Sequence, residues 1–216
     1  TLARPQIASH PDRRLIVVND GTHDSAYAAV LAAHDDWFTY MPKRANGGPA
    51  APPNYAAREA SGDFIVFTDD DCRPPPHWLD YLQARLETSP WLDGLAGYTR
   101  PFFINPRSLR ERVIAASGVL PGATYDEVGR LICGVTAAFA VRRACYERIG
   151  GFDESFRPSG EDLDLTQRLI RSGAILEADA NWWTGHTTAD TIKSYLKRYA
   201  TYGEGSARYA FTRRDW

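Results

Sequence analysis

Short apolar runs alternate along the chain with stretches whose apolar residues recur every three or four positions. The first run, Leu15-Ile16-Val17-Val18, stops at the polar turn Asn19-Asp20-Gly21 and predicts a strand. Ser25 can cap a helix over roughly 26–34, with Tyr27, Val30 and Leu31 on one face. Residues 41–53 are rich in Gly and Pro and predict a loop, followed by a short helix over 53–60. Phe64-Ile65-Val66-Phe67, bounded by Ser61-Gly62 and by Arg73-Pro74-Pro75-Pro76, predicts a second strand, buried on both faces. Pro76 suits the first turn of a helix whose stripe is Trp78, Leu79, Leu82 and Leu86.

Further along, residues 91–104 predict a strand weakened by Gly94 and Gly97, and 106–116 a helix carrying Leu109, Val113 and Ile114. Residues 118–130 read as a loop. The small apolar run Leu131–Val141 reads as a tightly packed strand or as backbone that a ligand could approach closely at Gly134. A short helix from Arg142-Arg143 ends at Gly150-Gly151, and another starts near residue 160 with Leu165, Leu169 and Ile170. Ile175-Leu176 predicts a strand core, and Asn181–His186 a polar loop after it. The last helix, from about Ala189, carries Ile192, Tyr195, Leu196 and Tyr199 on one face and Lys193, Lys197 and Arg198 elsewhere. Strands alternating with helices predict an α/β fold, a Rossmann-like, mostly parallel sheet with helices on both faces.

Length and composition add bounds. With 216 residues, 44% of them apolar and 24% charged, the chain suits one domain (1–216) with a sizeable core. It starts at Thr1 without an initiator Met, which fits a piece of a longer polypeptide. A net charge of −2 argues against general binding to nucleic acid. Three cysteines without metal-type spacing fit reduced thiols and a cytoplasmic setting. No apolar run approaches the roughly 20 residues of a membrane span. The basic amphipathic last helix permits contact with a membrane surface.

The candidate chemistry begins at Asp69-Asp70-Asp71, at the carboxyl end of the second strand. Alternate side chains of an extended chain point the same way, so Asp69 and Asp71 can converge on a hard cation, Mn²⁺ or Mg²⁺. A solvated acidic turn is the competing description. Asp20, ending the first strand, could accept from a base or ribose, or simply form its turn. Lys43 and Arg44 could reach phosphate from their loop. Ser159-Gly160-Glu161-Asp162 fits a capping box, which would give these acids a structural role. The same helix start could fix Asp162 as a proton acceptor, with the helix dipole lowering its pKa. His186 could complete a metal site.

Three segments carry a resemblance. Leu15–Asp24 looks like the nucleotide-binding "IVVDDGSTD" segment of the inverting family 2 glycosyltransferases of the GT-A fold. Gly62–Asp71 looks like their "GEFIAFLDSDD" strand, and Gly150–Glu154 with Glu161–Leu165 and Arg168 their "GGFDE…EDxDLxxR" motif. The match runs from about 13 to 205. It implies that Asp20 binds the nucleobase, that Asp70 lies by the ribose or sugar, and that Asp69 and Asp71 serve the metal and diphosphate. It further implies that Asp162 is the general base and that His186 helps hold the metal or diphosphate. The family's usual "ARN" is Pro52-Pro53-Asn54 here, leaving Asn54 on the donor side and Lys43 or Arg44 to replace the arginine. No strand of the family's first type, "VSVIIPTYN", precedes residue 13.

These readings converge on a metal-dependent transfer, with inversion, from a nucleotide-sugar donor, with a UDP-sugar favoured, to a glycan, lipid-linked or small-molecule acceptor. A non-catalytic nucleotide- or glycan-binding module of the same fold is the alternative. A sugar nucleotidyltransferase ranks behind both, because residues 19–24 offer no Gly-rich triphosphate loop.

Overall fold

The computed structural model describes residues 3–8, 10–23, 25, 27–33, 37–103, 105, 107–116, 122–187 and 191–213. Its elements begin with α1 (Ala3–Ala8), β1 (Ile16–Asp20), α2 (Ala28–Ala33), β2 (Thr39–Lys43), α3 (Ala51–Ala57), β3 (Phe64–Phe67) and β4 (Cys72–Arg73). The middle of the chain forms α4 (Trp78–Thr88), β5 (Gly94–Phe102), α5 (Leu109–Ala116), β6 (Thr124–Tyr125) and β7 (Leu131–Cys133). A 3-10 turn (Thr136–Ala138), β8 (Phe139–Arg142), α6 (Arg143–Arg148), α7 (Glu161–Arg171), β9 (Leu176–Thr187) and α8 (Ile192–Thr212) complete it.

The Phe64–Phe67 run packs on both faces because successive side chains point to opposite sides. Ile65 and Phe67 join Phe139, Val141, Phe152, Leu165 and Leu169 on one face, beneath α6 and α7. Val66 joins Trp78, Leu82, Leu95, Ala140 and Trp182 on the other, beneath α4. Neighbouring β8 repeats the alternation, sending Phe139 and Val141 one way and Ala140 the other. Trp78 stacks on Trp182 at 4.8 Å, and the Trp182 indole donates to the Trp78 carbonyl at 3.2 Å.

The five-stranded sheet has the order β3-β8-β5-β9-β4, and β1-β2 forms a separate pair. The two longest ladders, β1–β2 and β5–β9, are parallel, and the shorter ones, through β8 and β4, run antiparallel. This is a mixed α/β fold. Among the described residues β1 pairs only with β2 and β3 only with β8, and α1 is the sole element before β1.

Several segments differ from their sequence reading. Residues 39–43 form an edge strand despite Pro42, since an edge position leaves no ladder partner waiting for the missing N–H. The expected 181–186 loop is the second half of β9, and its Trp182 is fully buried. Gly97 explains how β5 tolerates glycine: a Cβ there would stand 2.5 Å from the Trp182 carbonyl oxygen, so the close approach of β9 demands its absence. Residues 118–121 of the expected loop lie outside the described residues, and 124–125 form β6. No helix among the described residues is long and apolar enough to cross a membrane.

Candidate active site

β3 delivers Asp69, Asp70 and Asp71 at its carboxyl end, and the chain then enters β4, whose Cys72 lies opposite His186 in the antiparallel ladder with β9. That register carries a histidine 115 positions away in sequence to the acidic triplet. One ligand atom from each of Asp69, Asp71, Cys72 and His186 falls within 4.8 Å of the others. Asp70 is exposed on the cavity wall beside them.

The local chemistry fits a hard cation. The Nδ1 of His186 contacts the Thr187 carbonyl oxygen at 2.7 Å, and since a carbonyl only accepts, Nδ1 carries the proton. Nε2 lies 3.4 Å from Asp71 Oδ1, so a cation between them would meet both atoms. Two acceptors so placed suit a positive charge between them. Asp71 is oriented from the other side, where the Thr187 hydroxyl donates to Oδ2 at 2.9 Å. Burial and the neighbouring Asp71 charge raise the Asp69 pKa, a cost that a cation would remove. Burial, with Asp69 next, pushes the Cys72 thiol up to about 11. Carboxylate oxygens and an imidazole suit Mn²⁺ or Mg²⁺, hard cations for which a thiol is the weaker match.

Across the cavity, α7 starts at Gly160, whose φ of +99° favours glycine. Among the described residues no side chain caps this helix, and the Ser159 hydroxyl donates instead to the Thr201 carbonyl of α8 at 2.6 Å. The capping-box account of the acids therefore does not hold. Asp162 accepts from the Thr136 hydroxyl at 2.9 Å on Oδ1 and from the Thr136 N–H at 3.4 Å on Oδ2. Its titration runs opposite to the lowering that a helix start implies. Burial, then the Glu161 and Asp69 charges, raise its pKa well above the ordinary carboxylate value, outweighing the Thr136 bonds.

Glu161 is raised to about 6, chiefly by burial, and its buried Oε2 has no hydrogen-bond partner among the described residues. Asp164, fully buried, points away from the cavity. It accepts from Arg168 Nε and Arg213 Nε, both at 2.7 Å, and so ties α7 to the end of α8.

A single cavity of about 2510 Å³ is lined by Asp20, Asp69, Asp70, Asp71, Asp162 and His186 together. Its wall also includes Val17 and Val18 of β1 and Ile65 and Val66 of β3. Three other expected residues stand elsewhere. Lys43 Nζ meets Asp20 Oδ1 at 2.5 Å, so its charge is already partnered and does not line the cavity. The same Asp20 carboxylate accepts from the Gly47 N–H at 2.9 Å. Arg44 is exposed outside the cavity. Asn54 spends its amide on Phe152, Glu154 and Tyr146: Oδ1 accepts the Phe152 N–H at 2.9 Å and the Tyr146 hydroxyl at 2.6 Å, and Nδ2 donates to the Phe152 carbonyl. It anchors the Gly150–Glu154 turn. Thr136 and Thr187 are the positioning residues that sequence reading missed, since threonines in strands and turns carry no distinctive spacing.

This architecture, with acids at a strand end facing a carboxylate at a helix start, fits the GT-A fold, and solved glycosyltransferases of that fold superpose on it. The family model described as "Glycosyl transferase family 2" matches residues 2–147, and the chain belongs to that family. It is 28% identical to a pre-mycofactocin glycosyltransferase of Mycobacterium tuberculosis, over 94% of this chain and 43% of that protein. An O-antigen biosynthesis protein RfbC of Myxococcus xanthus is 29% identical over 56% of this chain and 10% of its own length. The chain thus spans less than half the length of the curated relatives it matches. Among solved structures, the mannosyltransferase PcManGT from Pyrobaculum calidifontis, in complex with GDP-Man and Mn²⁺, superposes with a TM-score of 0.69 at 20% identity, covering 94% of this chain and 56% of that one. Staphylococcus aureus TarS gives 0.63 at 18% identity, covering 92% and 38%.

Proposed function

We propose that this chain transfers a sugar, with inversion, from a nucleotide-sugar donor to an acceptor hydroxyl, using a divalent cation. The observation carrying this reading is the single cavity lined by Asp20, the Asp69–Asp71 triplet, His186 and Asp162. Asp20, at the β1 end, binds the nucleoside, and Asp70 lies by the ribose or sugar. Asp69, Asp71 and His186 would hold Mn²⁺ or Mg²⁺, which supplies charge neutralisation for the diphosphate. Asp162 takes the proton from the acceptor hydroxyl, and Thr136 keeps its carboxylate in place. Its raised pKa makes it a stronger base once ionised. A base on the acceptor face with neutralisation on the donor face suits one direct displacement, hence inversion. A UDP-sugar is the favoured donor, and GDP-sugars belong in the same test.

The outer face of α8 supports contact with a lipid surface, and through it a lipid-linked acceptor. Ile192, Leu196 and Phe211 are 65%, 59% and 69% exposed, an apolar stripe beside Lys193.

Purified protein incubated with UDP- and GDP-sugars and Mn²⁺ should release the nucleoside diphosphate, and Asp162→Asn should lose roughly 10²–10⁴ of that rate. Nuclear magnetic resonance of the product should show the opposite anomer to the donor. Tight, metal-independent glycan binding without turnover of any donor would replace this reading with the non-catalytic module.

A further inference from the structure

The apolar stripe of α5 points to solvent. Leu109 and Val113, 72% and 60% exposed, stand one turn apart, with exposed Ala116 on the same line. A helix of a globular protein ordinarily turns such a stripe to the core. Here Glu111 and Ile114 face inward instead, and Glu111 accepts the Asn105 N–H at 3.2 Å. Arg110 and Arg112, both exposed, fall on either side of the outward stripe, and exposed Arg107 precedes the helix. Ile114 packs on Tyr195, so α5 lies against α8. Tyr199, in ring contact with Tyr195 at 4.9 Å, stands with Ile192 and Leu196 on the outer side of α8.

Charge selects what such a surface meets. The chain as a whole carries −2, yet residues 105–116 hold three arginines and one acid, the inward Glu111. Residues 192–203 hold three cations and no acid. Outward, then, α5 and this part of α8 present apolar side chains and cations without an opposing carboxylate. That combination is complementary to an anionic bilayer. Leucine and valine enter the acyl boundary, arginine stems lie along it, and the guanidinium groups meet headgroup phosphates.

We propose that α5 is a second membrane-contacting helix, and that α5 and α8 together dock the protein on an anionic bilayer. The proposal rests on the lipid-contact reading of α8 and adds the charge of the partner and a second point of attachment. Two helices, unlike one, fix how the protein tilts on the surface. Ser194 and Thr201, on the other side of α8, line the cavity that holds Asp162. Docking therefore sets that cavity beside the headgroups, in reach of an acceptor whose apolar tail stays in the bilayer.

The test is sedimentation with vesicles of phosphatidylcholine alone and of equal parts phosphatidylcholine and phosphatidylglycerol. The proteins compared are the wild type, Leu109→Ser with Val113→Ser, Arg110→Gln with Arg112→Gln, and Leu196→Ser. Trp91→Ser, which removes an exposed apolar residue at the opposite end of β5 from α5, is the control. The wild type should bind the mixed vesicles and leave the neutral ones largely in solution. Each α5 pair should lose roughly tenfold or more of that partitioning, and Leu196→Ser should also lose, with Trp91→Ser unchanged. Thermal unfolding of each variant checks that the fold is retained. An α5 pair that binds like the wild type while Leu196→Ser loses binding overturns the α5 assignment and leaves the α8 reading. Equal binding to both vesicle types, or equal loss with Trp91→Ser, overturns the proposal as well. So does a dimer in solution that Leu109→Ser with Val113→Ser abolishes, since a second copy would then cover this face. A wild type that binds neither vesicle overturns the α8 reading too, and release of nucleoside diphosphate by the same preparation would leave the sugar-transfer reading standing.

Discussion

Arg213 Nε lies 2.7 Å from Oδ1 of the fully buried Asp164, while its Nη2 reaches Asp153 Oδ2 at 2.6 Å. One guanidinium at the end of α8 thus ties together α7 and the Gly150–Glu154 turn. Arg213→Ala would leave the Asp164 carboxylate with Arg168 alone in a site closed to water. We expect a loss of roughly 1–3 kcal/mol in denaturant unfolding, because a buried charge that loses one of two partners keeps most of its desolvation cost. An unchanged midpoint would mean that water replaces the lost donor at no cost.

The metal set can be tested without turnover. His186→Ala removes the Nε2 lone pair, and Thr187→Val removes the hydroxyl that orients Asp71. Mn²⁺ affinity, read by electron paramagnetic resonance, should fall at least about tenfold for His186→Ala and by about tenfold for Thr187→Val, the lower end of what an orienting partner contributes. Equal Mn²⁺ affinity in wild type and both variants would remove β9 from the metal site.

In the proposed transfer, Asp162 sets the pH profile. A general base works ionised, and burial with the Glu161 and Asp69 charges raises its pKa, so transfer should fade on the acid side at a pH above the usual carboxylate range. Thr136→Val removes the hydroxyl donated to Oδ1, a bond that favours the ionised form. The acid limb of kcat/KM should move up, by an amount on the order of one pH unit. A limb that stays put in Thr136→Val would point to another group as base.

Glu161 affects stability with a definite sign. Its pKa is raised from 4.5 to about 6, chiefly by burial, so folding favours the protonated form. Stability therefore falls as pH rises between those values and stays lower above about 6. In metal-free protein, Glu161→Gln should stabilise by about 1–2 kcal/mol at pH 7.5, with the gain vanishing near pH 4. Thermal unfolding at both pH values reads this directly, and an equal effect at the two would show that the carboxylate is not the cause.

The local pattern in the chain was enough for the apolar runs, the acids at the end of β3, the Glu161–Leu165 motif and the α/β class. Each is set by neighbours a few residues apart: alternation along a strand, repetition along a helix, a turn after an apolar block. Pairing decided the rest, because ladder register and helix docking join residues far apart in sequence. The β4–β9 register brings His186 to the triplet and turns an expected loop into a buried strand. The seating of α8 on α7 turns Arg198 and Thr201 toward the cavity and leaves Leu196 outside, a choice that the amphipathic pattern alone does not make. Hydrogen bonding tied Asn54 to the Gly150–Glu154 turn and Lys43 to Asp20, and burial reversed the pKa direction that a helix start alone implies for Asp162. Desolvation and partner choice depend on what surrounds a side chain in space, and a linear pattern does not carry that information.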